Sequence, residues 1–190
     1  MNRISPLAMK QVNQVINSLR SNVIHNYIAP GLDSYLLGVS GGKIRMFEMT
    51  REQEFFISPH NHRFDFACLV LQGMVRHYTY HPRFSDLDED ILGDENEEYQ
   101  ISTYYPPRNG KPFDVKIVDT GYFSRTTTTY VSGDWYHLFR DKYHSIEFSM
   151  GARVLFFEGA DQAETSNFLE PIINGKVIPT FTLPDWMYNP

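Results

Sequence analysis

Residues 59–80 read PHNHRFDFACLVLQGMVRHYTY, and this stretch decides the fold. It opens with two histidines in Pro59-His60-Asn61-His62, continues as an apolar run Ala67–Gln72, stops at Gly73, and restarts as Val75–Tyr80. Two β-rich runs around a single glycine read as consecutive strands. In an extended chain the i, i+2 spacing places the imidazoles of His60 and His62 on one face, a pleat apart. Two convergent imidazoles begin a site for a first-row metal, since neutral imidazole suits iron, zinc, nickel and copper. The same pair on a solvated strand is an ordinary hydrogen-bonded surface feature.

Outward from this stretch, short β-rich runs recur between turn signals. They are Tyr35–Val39, Lys43–Met49, Gln53–Ile57, Tyr99–Tyr104, Phe113–Val118, Thr126–Val131, Trp135–Phe139, Ser145–Phe148 and Arg153–Phe157. The breaks fall at Gly41-Gly42, Pro106-Pro107, Asn109-Gly110, Gly133-Asp134 and Gly151. A helix is predicted only ahead of them, over 5–24. Ser5 offers a cap, Pro6 suits the first helical position, and Met9, Val12, Ile16, Leu19 and Val23 recur at helical spacing. Asn174-Gly175 between apolar flanks marks one more hairpin. The terminal Trp186, Met187 and Tyr188 are expected to dock on the barrel or on a partner subunit. Many short strands behind one helix indicate an all-β antiparallel sandwich or barrel. The expected organisation is a single domain over 1–190, with a helical extension at 5–24, a barrel over about 35–160 and a tail at 161–190.

Composition narrows the function classes. The chain has 190 residues, enough for one core, and a 42% apolar fraction too high for a disordered chain. A net charge of -6 argues against a binder of nucleic acid or of anionic membrane, either of which needs a basic face. Cys68 is the single cysteine, so neither an intramolecular disulfide nor a paired-cysteine zinc site can form. No apolar run reaches the roughly 18 residues of a membrane span, and no signal-peptide core opens the chain. A soluble, cytoplasmic protein is expected. The acidity is concentrated in Asp86, Asp88, Glu89, Asp90, Asp94, Glu95, Glu97 and Glu98, without which Lys+Arg outnumber Asp+Glu by 17 to 15. Such a block reads as a solvated excursion. An EF-hand register from Asp86 fails because Ile91 stands where that loop needs glycine, and no amphipathic helices flank it.

Past the histidine pair come Val70-Leu71-Gln72-Gly73, then Gly133-Asp134-Trp135-Tyr136, then His144 in Tyr143-His144-Ser145-Ile146. With these residues in this order the sequence resembles the cupin superfamily over about residues 55–150. The first cupin motif runs His-x-His, a glutamate, and a Val-Leu-x-Gly strand end. The second runs Gly-Asp, a strand, a turn, and a histidine opening the next strand. The resemblance implies a double-stranded β-helix barrel with a metal held by His60, His62 and His144. Phe66 stands where the family's glutamate ligand falls, Asp65 has the opposite strand parity, and Phe139-Arg140-Asp141-Lys142 replaces the usual proline and glycine turn.

A three-histidine set resembles the thiol dioxygenases, a cupin subgroup that holds Fe(II) on His-x-His and a later histidine. That resemblance favours Fe(II), with Zn, Ni, Mn and Cu as the other divalent ions the donors suit. The cysteine that some of those enzymes crosslink to a tyrosine aligns with Phe66, and Cys68 lies two residues on. Candidate substrate-facing residues are Arg63, Phe66, Arg76, His77, Tyr78 and His137. Arg63 reads either as an anion clamp at the barrel mouth or as a surface arginine. Alternation on the strand after Gly73 sends inward either His77 or the Arg76/Tyr78 pair, and parity alone leaves both open. His137 is the reserve ligand if the register slips. Two functions are compatible with this reading: a mononuclear metal dioxygenase acting on a small molecule, and a non-catalytic cupin that binds a small ligand or serves as a structural or interaction module. A homodimer suits either, and neither calls for nucleic acid or membrane.

Overall fold

The computed structural model of the chain describes residues 5, 7, 8, 10–12, 14, 23–39, 43–54, 56–83, 97–107 and 112–180. Their strands are β1 (Val23–Ile24), β2 (Leu32–Val39), β3 (Lys43–Met49), β4 (Phe66–Gln72), β5 (Met74–Pro82), β6 (Glu97–Tyr105), β7 (Asp114–Val131), β8 (Trp135–Leu138), β9 (Tyr143–Phe148), β10 (Arg153–Glu158), β11 (Ser166–Ile173) and β12 (Lys176–Val177). They build two six-stranded sheets, ordered β1-β2-β3-β10-β4-β8 and β12-β11-β6-β7-β5-β9. The all-β class expected from the turn-punctuated sequence is what the chain adopts.

Two glycines decide how the sheets connect. β4 turns over into β5 at Gly73 and β9 turns over into β10 at Gly151, with φ of +74° and +75° respectively, a region that side-chain-bearing residues rarely enter. β4 pairs antiparallel with β10 in one sheet, and β5 pairs antiparallel with β9 in the other. The ribbon therefore keeps its partner while crossing from sheet to sheet, which is the winding of a double-stranded β-helix. Between the sheets lies an apolar core containing Phe47, Phe66, Val70, Val75, Leu138, Ile146, Phe148, Val154 and Phe156. The rings of Phe47 and Phe156 meet edge to face at 5.4 Å.

The second sheet is drawn round on itself. His60 exchanges both backbone hydrogen bonds with His144 at 2.9 Å, the Asn61 N–H donates to the Asn167 carbonyl at 2.9 Å, and Leu169 N–H donates to Pro59 O at 2.7 Å. Residues 59–61 thus sit between β9 and β11.

Several elements depart from the sequence reading. Leu7, Ala8, Lys10, Gln11, Val12 and Gln14 are helical, and Ala8 N–H donates to Ser5 Oγ at 3.3 Å as a cap should. The expected helix does not run to residue 24, because Val23 and Ile24 pair with Tyr35 and Ser34 as β1. The β-branched pair extends the sheet instead. Pro6, Met9, Ile16 and Leu19, the acidic residues 86–96 and the terminal 186–188 lie outside the described residues, while Glu97 and Glu98 open β6. The described residues of the expected strand Gln53–Ile57 form no strand: the Gln53 amide donates to Ile146 O at 3.2 Å and accepts from Phe148 N–H at 2.9 Å, so one side chain takes the place of a strand's backbone. Phe113–Val118 and Thr126–Val131 are two ends of the single strand β7, with Val118 bulged where the pairing with β6 shifts register. The Asn174-Gly175 hairpin is present between β11 and β12, with φ of +52° and +70°. β11 itself was hidden by Pro171, which sits in the strand opposite Tyr99.

The glycines yield a direct test. A Cβ on Gly73 would lie 2.9 Å from both Ala152 Cα and Ser149 Oγ, whereas one on Gly175 meets nothing within 4 Å. G175A should cost about 1 kcal/mol through backbone strain alone. G73A should cost at least about 2 kcal/mol more from overpacking against backbone, a difference read by urea denaturation; equal losses would place the crossover elsewhere.

Candidate metal centre

Pro59-His60-Asn61-His62 is extended but too short to form a strand of its own, so it is positioned by the strands on either side. Asn61 adds a side-chain anchor, its Oδ1 accepting from Asn167 N–H at 2.6 Å. Alternation keeps His60 and His62 on one side of this segment, their ring centroids 4.8 Å apart. His144, the second residue of β9, is 4% exposed and faces the same space, with ring centroids 4.8 Å from His60 and 5.0 Å from His62. One ring nitrogen from each of the three falls within 4.8 Å of the others, and the Nε2 atoms of His62 and His144 are 2.8 Å apart. Donors at about 2.1 Å from a shared ion stand roughly 3 Å apart when cis, so this pair is spaced for one. The His60 Nδ1–H donates to Ser58 O at 2.8 Å, which leaves its Nε2 lone pair free.

The surroundings keep the donors neutral. Phe66 takes up the position where the resemblance puts a glutamate, with its ring 4.8 Å from His62 and 5.3 Å from His144. Phe64 lies 5.1 Å from His62, and Phe156 backs Phe66 at 4.8 Å. Burial pushes His62 and His144 well below the ordinary imidazole value, and neighbouring imidazoles, His60 first, push further. Burial also lowers His60, partly offset by its bond to Ser58. Deprotonated imidazole is the form a metal requires.

The nearby carboxylates serve the frame. Asp65 points away from the histidines, accepting Arg140 N–H at 2.8 Å and capping the Phe139–Lys142 turn that replaces the expected proline and glycine. Asp134, 1% exposed, accepts Val131 N–H at 2.9 Å beside Gly133, whose φ is +91°, so the Gly-Asp pair builds the β7–β8 turn.

The other sequence candidates separate cleanly. His77 lies on the inward face of β5 with Val75, is 4% exposed, and has its Nε2 2.9 Å from His144 Nδ1. Arg76 and Tyr78 take the opposite face, where Arg76 pairs with Glu147 at 2.9 Å and the Tyr78 hydroxyl donates to Glu147 Oε2 at 2.7 Å. Arg63 is held by Asp161 at 3.2 Å. His137 is exposed against Phe139, 4.5 Å between rings, and does not join the cluster. Cys68 is buried opposite Tyr136 on β8, and burial raises its thiol to about 12. Sequence reading missed the Ser58 carbonyl, since a backbone acceptor leaves no signature in residue type.

No protein-family model matches the chain, and no curated protein matches it. Among solved structures it is similar to the iron(II) form of HppE, at 9% identity over 74% of this chain and 56% of that one, with a TM-score of 0.41. It is also similar to hydroquinone 1,2-dioxygenase PnpCD in complex with Cd2+ and 4-hydroxybenzonitrile, at 10% identity over 65% of this chain and 61% of that one, TM-score 0.35. A third is the Cellulomonas parahominis L-ribose isomerase, at 13% identity over 88% of this chain and 93% of that one, TM-score 0.42. The chain spans less than two thirds of the length of HppE and of the hydroquinone 1,2-dioxygenase. Likenesses this distant share an outline of strands and carry nothing about chemistry.

The neutral imidazoles make folding sensitive to acid. His77 titrates near 4 in the folded chain because burial penalises its charged form, against 6.5 when unfolded. Between those values the unfolded chain binds the extra proton, so stability is full above pH 6.5 and falls as pH drops toward 4. For the metal-free protein, unfolding free energies from urea denaturation at pH 7.5 and 5.0 should differ by about 2 kcal/mol from His77 alone. A flat profile would mean the imidazoles are hydrated.

Proposed function

We propose that the chain is a mononuclear metal-dependent cupin, and within that class a non-haem Fe(II) dioxygenase acting on a small molecule. One observation carries the reading: three neutral imidazoles converge within 4.8 Å with an aromatic ring in place of a carboxylate. The donor chemistry fits a divalent transition ion, with His60, His62 and His144 to hold it. Fe(II) bound there would supply open positions at which substrate and dioxygen meet. The chain's own residues do the rest. Ser58 orients the His60 ring, Phe66 fills the carboxylate position and excludes water, and Phe64 adds an aromatic wall beside His62. With three neutral ligands the ion keeps its full charge for a bound thiolate, enolate or phenolate. Arg63 and Arg76 are both engaged by carboxylates, which favours a substrate anchored by apolar contacts over one clamped by its carboxylate.

The test loads the protein anaerobically with Fe(II), then follows metal stoichiometry and oxygen uptake with a panel of small thiols and phenols. One ion per chain and uptake with at least one member is expected. One ion without uptake on any member would leave the non-catalytic cupin, and no retained ion would overturn the metal reading. His62→Ala should drop metal retention at least about 100-fold, since two imidazoles hold a divalent ion poorly, while far-UV circular dichroism stays native because the core and not the ion drives folding. Phe66→Glu should tighten metal binding and lower uptake by occupying an open position.

A further inference from the structure

His77 is a fourth imidazole beside the cluster, buried like His144, and contributes nothing to the three-donor set. On the β5–β9 ladder it stands opposite Ile146, so His144 is its diagonal neighbour on the inward face, a separation that aromatic side chains bridge. The bridge is made: His77 Nε2 and His144 Nδ1 are 2.9 Å apart, with ring centroids 5.0 Å apart, and both residues are 4% exposed. Two neutral imidazoles joined through one nitrogen each share a single proton, so the contact couples their tautomers. His144 also turns its Nε2 toward His62 Nε2 at 2.8 Å. If the proton of His144 were on Nε2, that atom would have no lone pair for an ion, and Nδ1 would face His77 instead of the donor set. Only a proton on Nδ1, donated to His77 Nε2, leaves Nε2 available.

We propose that His77 is a positioning residue that accepts the Nδ1–H of His144 and thereby fixes the tautomer and ring orientation in which His144 presents Nε2 to the metal. The inference rests on the metal reading above and extends it to a residue outside the ligand set. Tyr136, whose ring lies 5.2 Å from His77 and stacks on Tyr130 at 4.5 Å, restricts the His77 ring from behind. The role is therefore geometric, built from packing on one side and a single acceptor on the other. Outer partners of this kind typically govern metal affinity by about 10–100-fold.

The test uses Zn(II) as probe. Its affinity for wild type, His77→Phe and His77→Gln is measured by competition with a chromophoric chelator, alongside 15N-detected histidine tautomers of the zinc-loaded wild type. H77F fills the volume without an acceptor and should weaken Zn(II) binding about 10–100-fold, while H77Q, whose amide oxygen can accept the same proton, should recover most of that loss. The spectra should show His144 protonated on Nδ1 and His77 free of metal. Equal affinity of H77F and wild type would overturn the role of His77 and leave the metal reading standing. A metal-shifted His77 nitrogen would overturn it also, by making His77 a ligand. Wild type that takes up no Zn(II) would overturn the metal reading, and the inference with it. Should H77F fail to fold by circular dichroism, the wild-type tautomers and the H77Q affinity decide, with a proton on His144 Nε2 the overturning result.

Discussion

The reciprocal backbone pairing of His60 with His144 is the constraint on which the rest of the structure depends. A backbone N–H and carbonyl taken out of water must find partners, and these two residues supply them to each other at 2.9 Å in both directions. One pair of bonds thereby does two things. It joins β9 to the segment that also meets β11, so the second sheet curls round, and it sets two imidazoles in register on the same face. His62 follows two residues on, and the strand period brings its ring to the same space. The site is therefore a product of sheet closure.

Electrostatics then selects what that space can contain. Placing imidazoles side by side in an apolar interior is tolerable only when they are uncharged, because each desolvated cation would repel the next. The chain meets this condition by surrounding them with Phe64, Phe66 and Phe156 and by spending its nearest carboxylates on turns. Asp65 caps the Arg140 turn and Asp134 holds the β7–β8 corner. Phe66 in place of a carboxylate leaves the three imidazoles without a negative charge beside them. An ion held here by imidazoles alone would keep its positive charge uncompensated until an anionic ligand arrived.

How much of this was legible from residue order can be judged element by element. Gly73 and Gly151 announced turns between strands, because only glycine takes a φ near +75° without strain, while the pairing alone showed that these turns cross from sheet to sheet. His60 and His62 were legible because strand parity is a local rule, and Phe66 because the resemblance to the first cupin motif puts a ligand at its position. Gln53–Ile57 misled because its β-rich composition says nothing about whether a neighbouring edge is already satisfied, and the Gln53 amide satisfies it. β7 was read as two strands because composition could not show that β5 and β6 both pair with it.

Sequence by itself determined the class of the fold, the points where the ribbon turns over, and the three histidines that carry the candidate chemistry. The strands and the His60/His62 pair depend on periodicity and the turns on a glycine, both of which act within a few residues, whereas His144 entered the set only through the resemblance to the second cupin motif. Tertiary structure alone decided which face of β5 turns inward. It placed His77 against His144 across the ladder and sent Arg76 and Tyr78 to Glu147 on the other side. A strand has two faces that alternation makes equivalent, and only the sheet packed over one of them makes that face the interior.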